Sequence, residues 1–141
     1  MARPRTILCI DDHRNALLGR KMLLEKSGYN VLEATGGDEG LKLFSSNQVD
    51  AVVLDYQMPG INGDIVADRM KRMKASVPIM LLSAYGPLPA SKLKSVDTFV
   101  PKSQELQVLL STLQNLLGSQ PRPFFSRWLD HWKAHNQEVK P

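Results

Sequence analysis

The chain alternates short, continuous apolar runs with longer stretches in which apolar residues return every three or four positions, and the two periods predict strands and helices in turn. Thr6-Ile7-Leu8-Cys9-Ile10 is an apolar strand that stops at Asp11-Asp12. Over residues 14–26, Leu17, Leu18, Met22 and Leu24 recur at helical steps, and Ser27-Gly28 closes the run. Residues 29–34 predict a second strand. Thr35-Gly36-Gly37-Asp38 then opens a short helix carrying Leu41 and Phe44, followed by a polar turn over residues 45–48. Residues 51–54 form the third strand, which leads to Asp55, and residues 64–74 a third helix with Ile65, Val66, Met70 and Met73 inward. A fourth strand over 77–82 ends at Ser83; Pro87 and Pro89 confine the next helix to about residues 90–95. Residues 98–100 are the fifth strand and deliver Pro101-Lys102. The last core helix covers residues 103–117, with Leu106, Leu109, Leu110, Leu113, Leu116 and Leu117 as its stripe.

Five strands alternating with five helices predict an α/β fold, a parallel sheet covered on both faces. Open parallel sheets place their chemistry at the carboxyl ends of the strands. There the segment Val52-Val53-Leu54-Asp55-Tyr56-Gln57-Met58-Pro59-Gly60 drives three core residues into an acid and then into a loop. Such a carboxylate is costly unless it is solvated, paired or bound to a cation. The other strand ends supply partners: Asp11 and Asp12 from the first, Ser83 from the fourth, Lys102 from the fifth. Three converging carboxylates repel one another unless a hard divalent cation sits among them, and all-oxygen ligation favours Mg2+. A carboxylate beside a metal, an ammonium and a hydroxyl suits a phosphoryl group, and the carboxylate can itself be the nucleophile.

Taken singly, each residue has a plainer reading. An Asp before Pro-Gly is a turn former, an Asp-Asp pair caps a helix, and Lys102 starts one. It is the coincidence at successive strand ends that carries the chemistry.

On these motifs the chain resembles a bacterial response-regulator receiver domain of two-component signalling, single-domain and like the chemotaxis regulators. The resemblance covers roughly residues 5–118: Asp11-Asp12, Asp55 in Leu-Asp-Tyr-Gln-Met-Pro-Gly, Ser83-Ala84 and Lys102 stand where the family's motifs stand. It implies a doubly wound, flavodoxin-like fold with strand order 2-1-3-4-5. It further implies that Asp55 is the phosphoacceptor for a sensor histidine kinase or phosphotransfer protein. By the same resemblance Asp12, Asp55 and the Gln57 backbone carbonyl hold Mg2+, with Asp11 acting directly or through a water. Lys102, Ser83 and Ala84 contact the phosphoryl oxygens, Ser83 and Phe99 form the switch pair, and Gln57 and Tyr85 tune dephosphorylation. Phe99 read without the resemblance is core packing.

The sequence departs from the family in two places. Pro101 precedes Lys102 and Ser103 follows it, which excludes the cis Lys-Pro bond common in the family. The segment between Ser83 and Phe99 is short and carries two prolines, so the fourth helix of the usual output face is expected to be short or distorted. Gly36-Gly37-Asp38-Glu39-Gly40 is similar to the diguanylate cyclase signature but lacks its final Phe; a turn and helix N-terminus explain it better. No Walker or dinucleotide glycine pattern follows the first strand.

Composition narrows the classes. The 141 residues, 43% hydrophobic and 23% charged, suffice for one domain with a real core. No apolar run reaches the roughly 18 residues of a membrane span, the N-terminus lacks the apolar core of a secretory signal, and the expected location is the cytoplasm. Cys9, the single cysteine, reads as a buried small hydrophobe. The net charge of +4 is scattered; its densest cluster, Arg69, Lys71, Arg72 and Lys74, reads as a solvated helix face rather than a nucleic-acid surface.

Two regions are expected, a receiver over residues 1–118 and a Pro-containing linker with an aromatic amphipathic helix over 119–141. In the latter, Phe124, Phe125, Trp128, Leu129 and Trp132 repeat at helical spacing. Its first reading is a helix folded back on its own domain; a dimer contact or insertion into a partner's groove comes next, and an interfacial membrane helix last. His131 and His135 lack a third metal ligand and read as solvated. A homodimer would use residues 90–117 or this tail. Residues 119–141 are too few for a helix-turn-helix module, so direct DNA binding is not expected.

The function expected is a stand-alone receiver that assists its own phosphorylation and dephosphorylation, turns over no external substrate and signals to a downstream protein target. The competing class is a phosphorylation-independent scaffold acting through the tail. A phosphoester hydrolase is disfavoured, because Asp55 is not followed two residues on by a second acid.

Overall fold

The structure, a computed structural model, describes residues 3–118. The expectations for the aromatic tail and its histidines lie outside the described residues.

The elements follow one another as β1 (Thr6–Ile10), α1 (Arg14–Lys26), β2 (Asn30–Ala34), α2 (Gly37–Ser46), β3 (Ala51–Asp55), α3 (Gly63–Met73), β4 (Ile79–Ser83), α4 (Ala90–Leu93), β5 (Thr98–Pro101), a 3-10 turn (Lys102–Gln104) and α5 (Glu105–Leu117). The strands form one parallel sheet in the order β2-β1-β3-β4-β5. β1, β3 and β4 are the inner strands, and the continuous burial of β3 and β4 explains why they read as unbroken apolar runs.

Two cores lie on the two faces. On one, Leu8, Ile10, Leu54 and Leu81 of the sheet meet Phe44 of α2 and Val66 and Met70 of α3. On the other, Ile7, Cys9, Val53 and Leu82 meet Leu17 and Leu24 of α1 and Leu109 and Leu113 of α5. Cys9 is fully buried, and that burial pushes its thiol up to about 12.

Several apolar positions of the helical repeats are on the surface, Ile65, Met73 and Leu106 against expectation. Leu18 and Met22 of α1 are exposed, since a helical step of about 100° carries both away from the face shared by Leu17 and Leu24. Ile65 lies one such step from Val66, while Met73 and Leu106 occupy the last turn of α3 and the first of α5, and all three are exposed. The helix expected over 103–117 begins with a 3-10 turn, and α4 is a single turn of four residues.

The amino-terminal rim of the sheet is tied across elements. Asp50 accepts from both Arg3 nitrogens at 2.8 and 2.9 Å and from the Thr6 amide at 2.7 Å. Asp97 Oδ2 accepts from Lys71 Nζ and from the Ile79 amide, both at 2.7 Å, joining α3 to β4 just before β5. Lys74 Nζ donates to the carbonyls of Phe44 at 2.7 Å and Asn47 at 3.0 Å, closing the end of α2 onto α3.

Candidate functional site

A parallel sheet in register delivers all its carboxyl ends to one rim. Ile10 pairs with Leu54 and Asp55 with Leu82, so the residues that follow β1 stand beside Asp55. Asp11 is fully buried, Asp55 is 3% exposed and Asp12 is partly open to solvent. One ligand atom from each of Asp11, Asp12, His13 and Asp55 lies within 4.8 Å of the others. Lys102, on the 3-10 turn after β5, reaches in between and places Nζ 2.9 Å from Asp11 Oδ2 and 3.3 Å from Asp55 Oδ1.

The position of Asp55 depends on the turn that follows it. Gly60 takes φ 85°, a conformation glycine adopts without strain, and the Gly63 amide donates to the Tyr56 carbonyl at 2.6 Å. A Cβ on Gly63 would collide with the Asp55 backbone oxygen and the Leu81 side chain. α3 can therefore start directly against the end of β3 only because residue 63 has no side chain.

The charges are unequal in their surroundings. Burial pushes Asp55 up, the neighbouring Asp11 pushes it further, and Lys102 only partly offsets both, which leaves its carboxyl at about 6. Asp11 feels burial too, yet hydrogen bonds from Arg20, the His13 amide and Lys102 outweigh it and hold the carboxyl down at about 2. Lys102 is raised: burial opposes its charge, but Asp11 and Asp55 more than compensate.

A cleft of about 490 Å³ opens over this cluster, lined among others by Asp12, Asp55, Gln57, Ala84, Tyr85 and Lys102. Asp11 lies beneath it. A larger groove of about 940 Å³ runs beside it between α2, the β3–α3 loop and α4, but it holds none of the predicted site residues. The charged cluster, not the larger volume, marks the site. Ser83, 2% exposed, is turned to its own chain: its hydroxyl accepts from the Tyr85 amide at 3.2 Å and donates to the Tyr85 carbonyl at 3.3 Å. The Tyr85 ring is exposed, and Phe99 sits partly buried on β5 opposite Leu81. Asp11, Asp12, Asp55 and Lys102 thus meet in one cluster, whereas Ser83 and Phe99 stand behind the cleft.

The donor set fits a hard divalent cation. Three carboxylates share the rim, and Asp12 Oδ1 is buried without a hydrogen-bond partner, a group that a cation would satisfy. His13, not singled out from the sequence, adds a ring nitrogen 3.2 Å from Asp11 Oδ1 and 3.3 Å from Asp12 Oδ1.

Arg20 and Glu105 were also missed. Arg20 is fully buried on α1, its guanidinium paired with Asp11 at 2.7 Å and, through Nε, with Glu105 at the start of α5. The two acids raise Arg20 further despite its burial. The signal was present: residues 17, 20 and 24 share one helix face, and an arginine between two core leucines demands a buried acid.

Comparison with known proteins agrees with this geometry. The response regulator receiver domain family matches residues 7–114. Response regulator MprA of Mycobacterium sp. (strain KMS) is 33% identical over 117 residues, which are 81% of this chain and 51% of that protein. The chain spans about half or less of the length of the curated relatives first matched, down to 13%. Among solved structures, response regulator TrrA of Thermotoga maritima in complex with Mg2+-BeF is 34% identical with a TM-score of 0.75, covering 79% of this chain and 98% of that one. A chain from the complex of histidine kinase ThkA with TrrA is 35% identical with a TM-score of 0.75, covering 81% and 99%. A doubly wound 2-1-3-4-5 sheet, an acid cluster with a lysine at its carboxyl rim and a family match over most of its length together place this chain in the response regulator receiver domains of two-component systems.

Proposed function

We propose that Asp55 accepts a phosphoryl group from the phosphohistidine of a sensor histidine kinase or phosphotransfer protein, and that the product switches contacts with a downstream protein. The observation that carries this reading is Asp55 at the floor of an open cleft, with the Lys102 ammonium 3.3 Å from one oxygen and two further acids beside it. A carboxylate oxygen of Asp55 attacks phosphorus; the P–O bond forms as the P–N bond to the imidazole breaks, and the electron pair leaves with the imidazole nitrogen. Lys102 faces the oxygens on which charge accumulates. Asp12, Asp55 and the Gln57 backbone carbonyl, with Asp11 directly or through a water, would hold Mg2+, which when bound neutralises the phosphoryl oxygens. The TrrA complex with Mg2+-BeF and the ThkA–TrrA complex support the cation and the donor class.

Ser83 and Ala84 would complete the phosphoryl contacts. For Ser83 this requires its hydroxyl to leave the Tyr85 backbone; by the family resemblance Ser83 and Phe99 would form the switch pair, and Gln57 and Tyr85, both lining the cleft, would govern the water that hydrolyses the acyl phosphate. On this reading residues 1–118 are the receiver, and residues 119–141 are the Pro-containing linker and aromatic stretch expected from the sequence.

The test is labelling with acetyl phosphate and Mg2+, read by intact-protein mass. Wild type should gain one phosphoryl group and Asp55→Asn none; stoichiometric labelling of the variant would move the phosphoacceptor elsewhere.

A further inference from the structure

The larger groove, of about 940 Å³, shares none of its charged residues with the cleft over Asp55. The start of α2 supplies exposed Asp38 and Glu39, α3 supplies Asp64 and Arg69, and α4 supplies Lys92. Asp64 is the anomaly among them. It is 7% exposed, and its Oδ1 is buried with no hydrogen-bond partner among the described residues. Its other oxygen has Lys92 Nζ at 3.4 Å, longer than a strong N–H···O contact, and the Lys92 side chain is well exposed. A place in the first turn of α3 suits an acid through the helix dipole. The amides that could cap it are nevertheless taken: Gly63 donates to the Tyr56 carbonyl at 2.6 Å, and Ile65 and Val66 both donate to the Asn62 carbonyl at 3.2 Å. A buried carboxylate oxygen left in that position costs free energy until a donor reaches it.

We propose that this groove docks a basic segment of a protein partner, with one arginine side chain of that segment pairing with Asp64. Charge complementarity selects the occupant, since Asp38, Glu39 and Asp64 outnumber Arg69 and Lys92 along the groove. A lone metal ion does not suit these acids. Among the described residues, the groups close enough to share one are Asp11, Asp12, His13 and Asp55 at the carboxyl rim. The cation must therefore carry its donors on an extended frame. A guanidinium does so, with five N–H donors in a planar fork that matches a carboxylate, and it can take Asp64 over from the more distant Lys92 ammonium. Half-buried Ile61 and exposed Ile65, both lining the groove, offer apolar surface to the methylene stem behind that fork. The volume lies toward the top of the roughly 300–1,000 Å³ range of ligand pockets, room for several residues of a peptide rather than one side chain. Docking here uses no residue of the acid cluster and goes beyond the phosphoacceptor reading.

The test is a titration of the full nitrogen-15-labelled chain with N-acetyl-arginine amide, followed by nuclear magnetic resonance at the backbone amides of the groove. Saturable shifts confined to those amides are expected, with the neutral analogue N-acetyl-citrulline amide giving none. Asp64→Asn should weaken arginine binding at least about fivefold, and Lys92→Gln, which removes the competing ammonium, should tighten it about twofold. No saturable shift, equal binding by Asp64→Asn, or equal binding of the citrulline analogue overturns the proposal. If circular dichroism shows Asp64→Asn unfolded, Lys92→Gln decides, and unchanged or weaker binding there overturns it. Inorganic phosphate that moves the same amides in preference to the arginine probe makes the groove an anion site and overturns it as well. The paired variant Arg122→Gln with Arg127→Gln checks the chain's own tail. Groove amides that move in this variant before any probe is added assign the groove to residues 119–141 and overturn the partner reading, whereas unmoved amides support it.

Discussion

Asp11 and Asp55 are the same side chain at neighbouring strand ends, yet their surroundings drive them apart, to about 2 and about 6. The signs for stability follow by linkage. A carboxyl lowered in the folded state contributes stability above its unfolded value, so Asp11 stabilises near neutrality and loses that contribution as pH falls toward 2. A carboxyl raised in the folded state does the reverse: the fold binds the Asp55 proton more tightly than the unfolded chain, and stability falls as pH rises from the ordinary carboxylate value of 3.8 to about 6. In EDTA, Asp55→Asn should therefore be more stable than wild type at pH 7 by about 1–2 kcal/mol and equal to it near pH 3. Urea denaturation at the two pH values reads this directly, and equal midpoints at pH 7 would refute it. Asp11, Asp12, Asp55 and Lys102 were legible in the sequence because each follows a continuous apolar strand. Their unequal charge states were not, because they depend on Arg20, a helical residue whose partners come from the end of β1 and the start of α5.

Among the elements, the junction of β3 and α3 governs the site most tightly. The backbone passes so close to itself at Gly63 that a single methyl group meets the Asp55 carbonyl. Gly63→Ala should cost about 1–3 kcal/mol, the range for overpacking a filled site. It should also lower the rate of labelling by acetyl phosphate, since relief of the collision moves Asp55. A variant with wild-type stability and labelling would mean the turn yields freely. β1, β3 and β4 were readable because inner parallel strands are apolar along nearly their whole length. The helices were less so: Leu18 and Met22 fit a helical period but not the face that meets the sheet, and a period alone does not say which of two apolar stripes is inward. The one-turn α4 follows from Pro87 and Pro89, which the sequence showed directly.

For the molecule as a whole, cation binding and folding should be one equilibrium, because the ligand atoms come from β1 and β3 and converge only in the folded sheet. Mg2+ at ten times its dissociation constant should add about 1.4 kcal/mol, a rise in Tm of about 5 °C for a domain of this size. Asp12→Ala should remove that rise while leaving the Tm in EDTA near or above that of wild type, since it relieves repulsion among the acids. A thermal scan with and without Mg2+ decides; an undiminished shift in the variant would exclude Asp12 as a ligand.

The ties along the amino-terminal rim have a mechanical consequence. Asp50, Asp97 and Lys74 fasten strand starts and helix ends at that rim, whereas the opposite rim is held by charges whose balance a phosphoryl group would alter. The sheet is thus built as a cantilever: anchored at one end, loaded at the other. A load placed at that end would fall first on the loops that the rim carries, the segment between β4 and the short α4 among them, and would leave the anchored end in place.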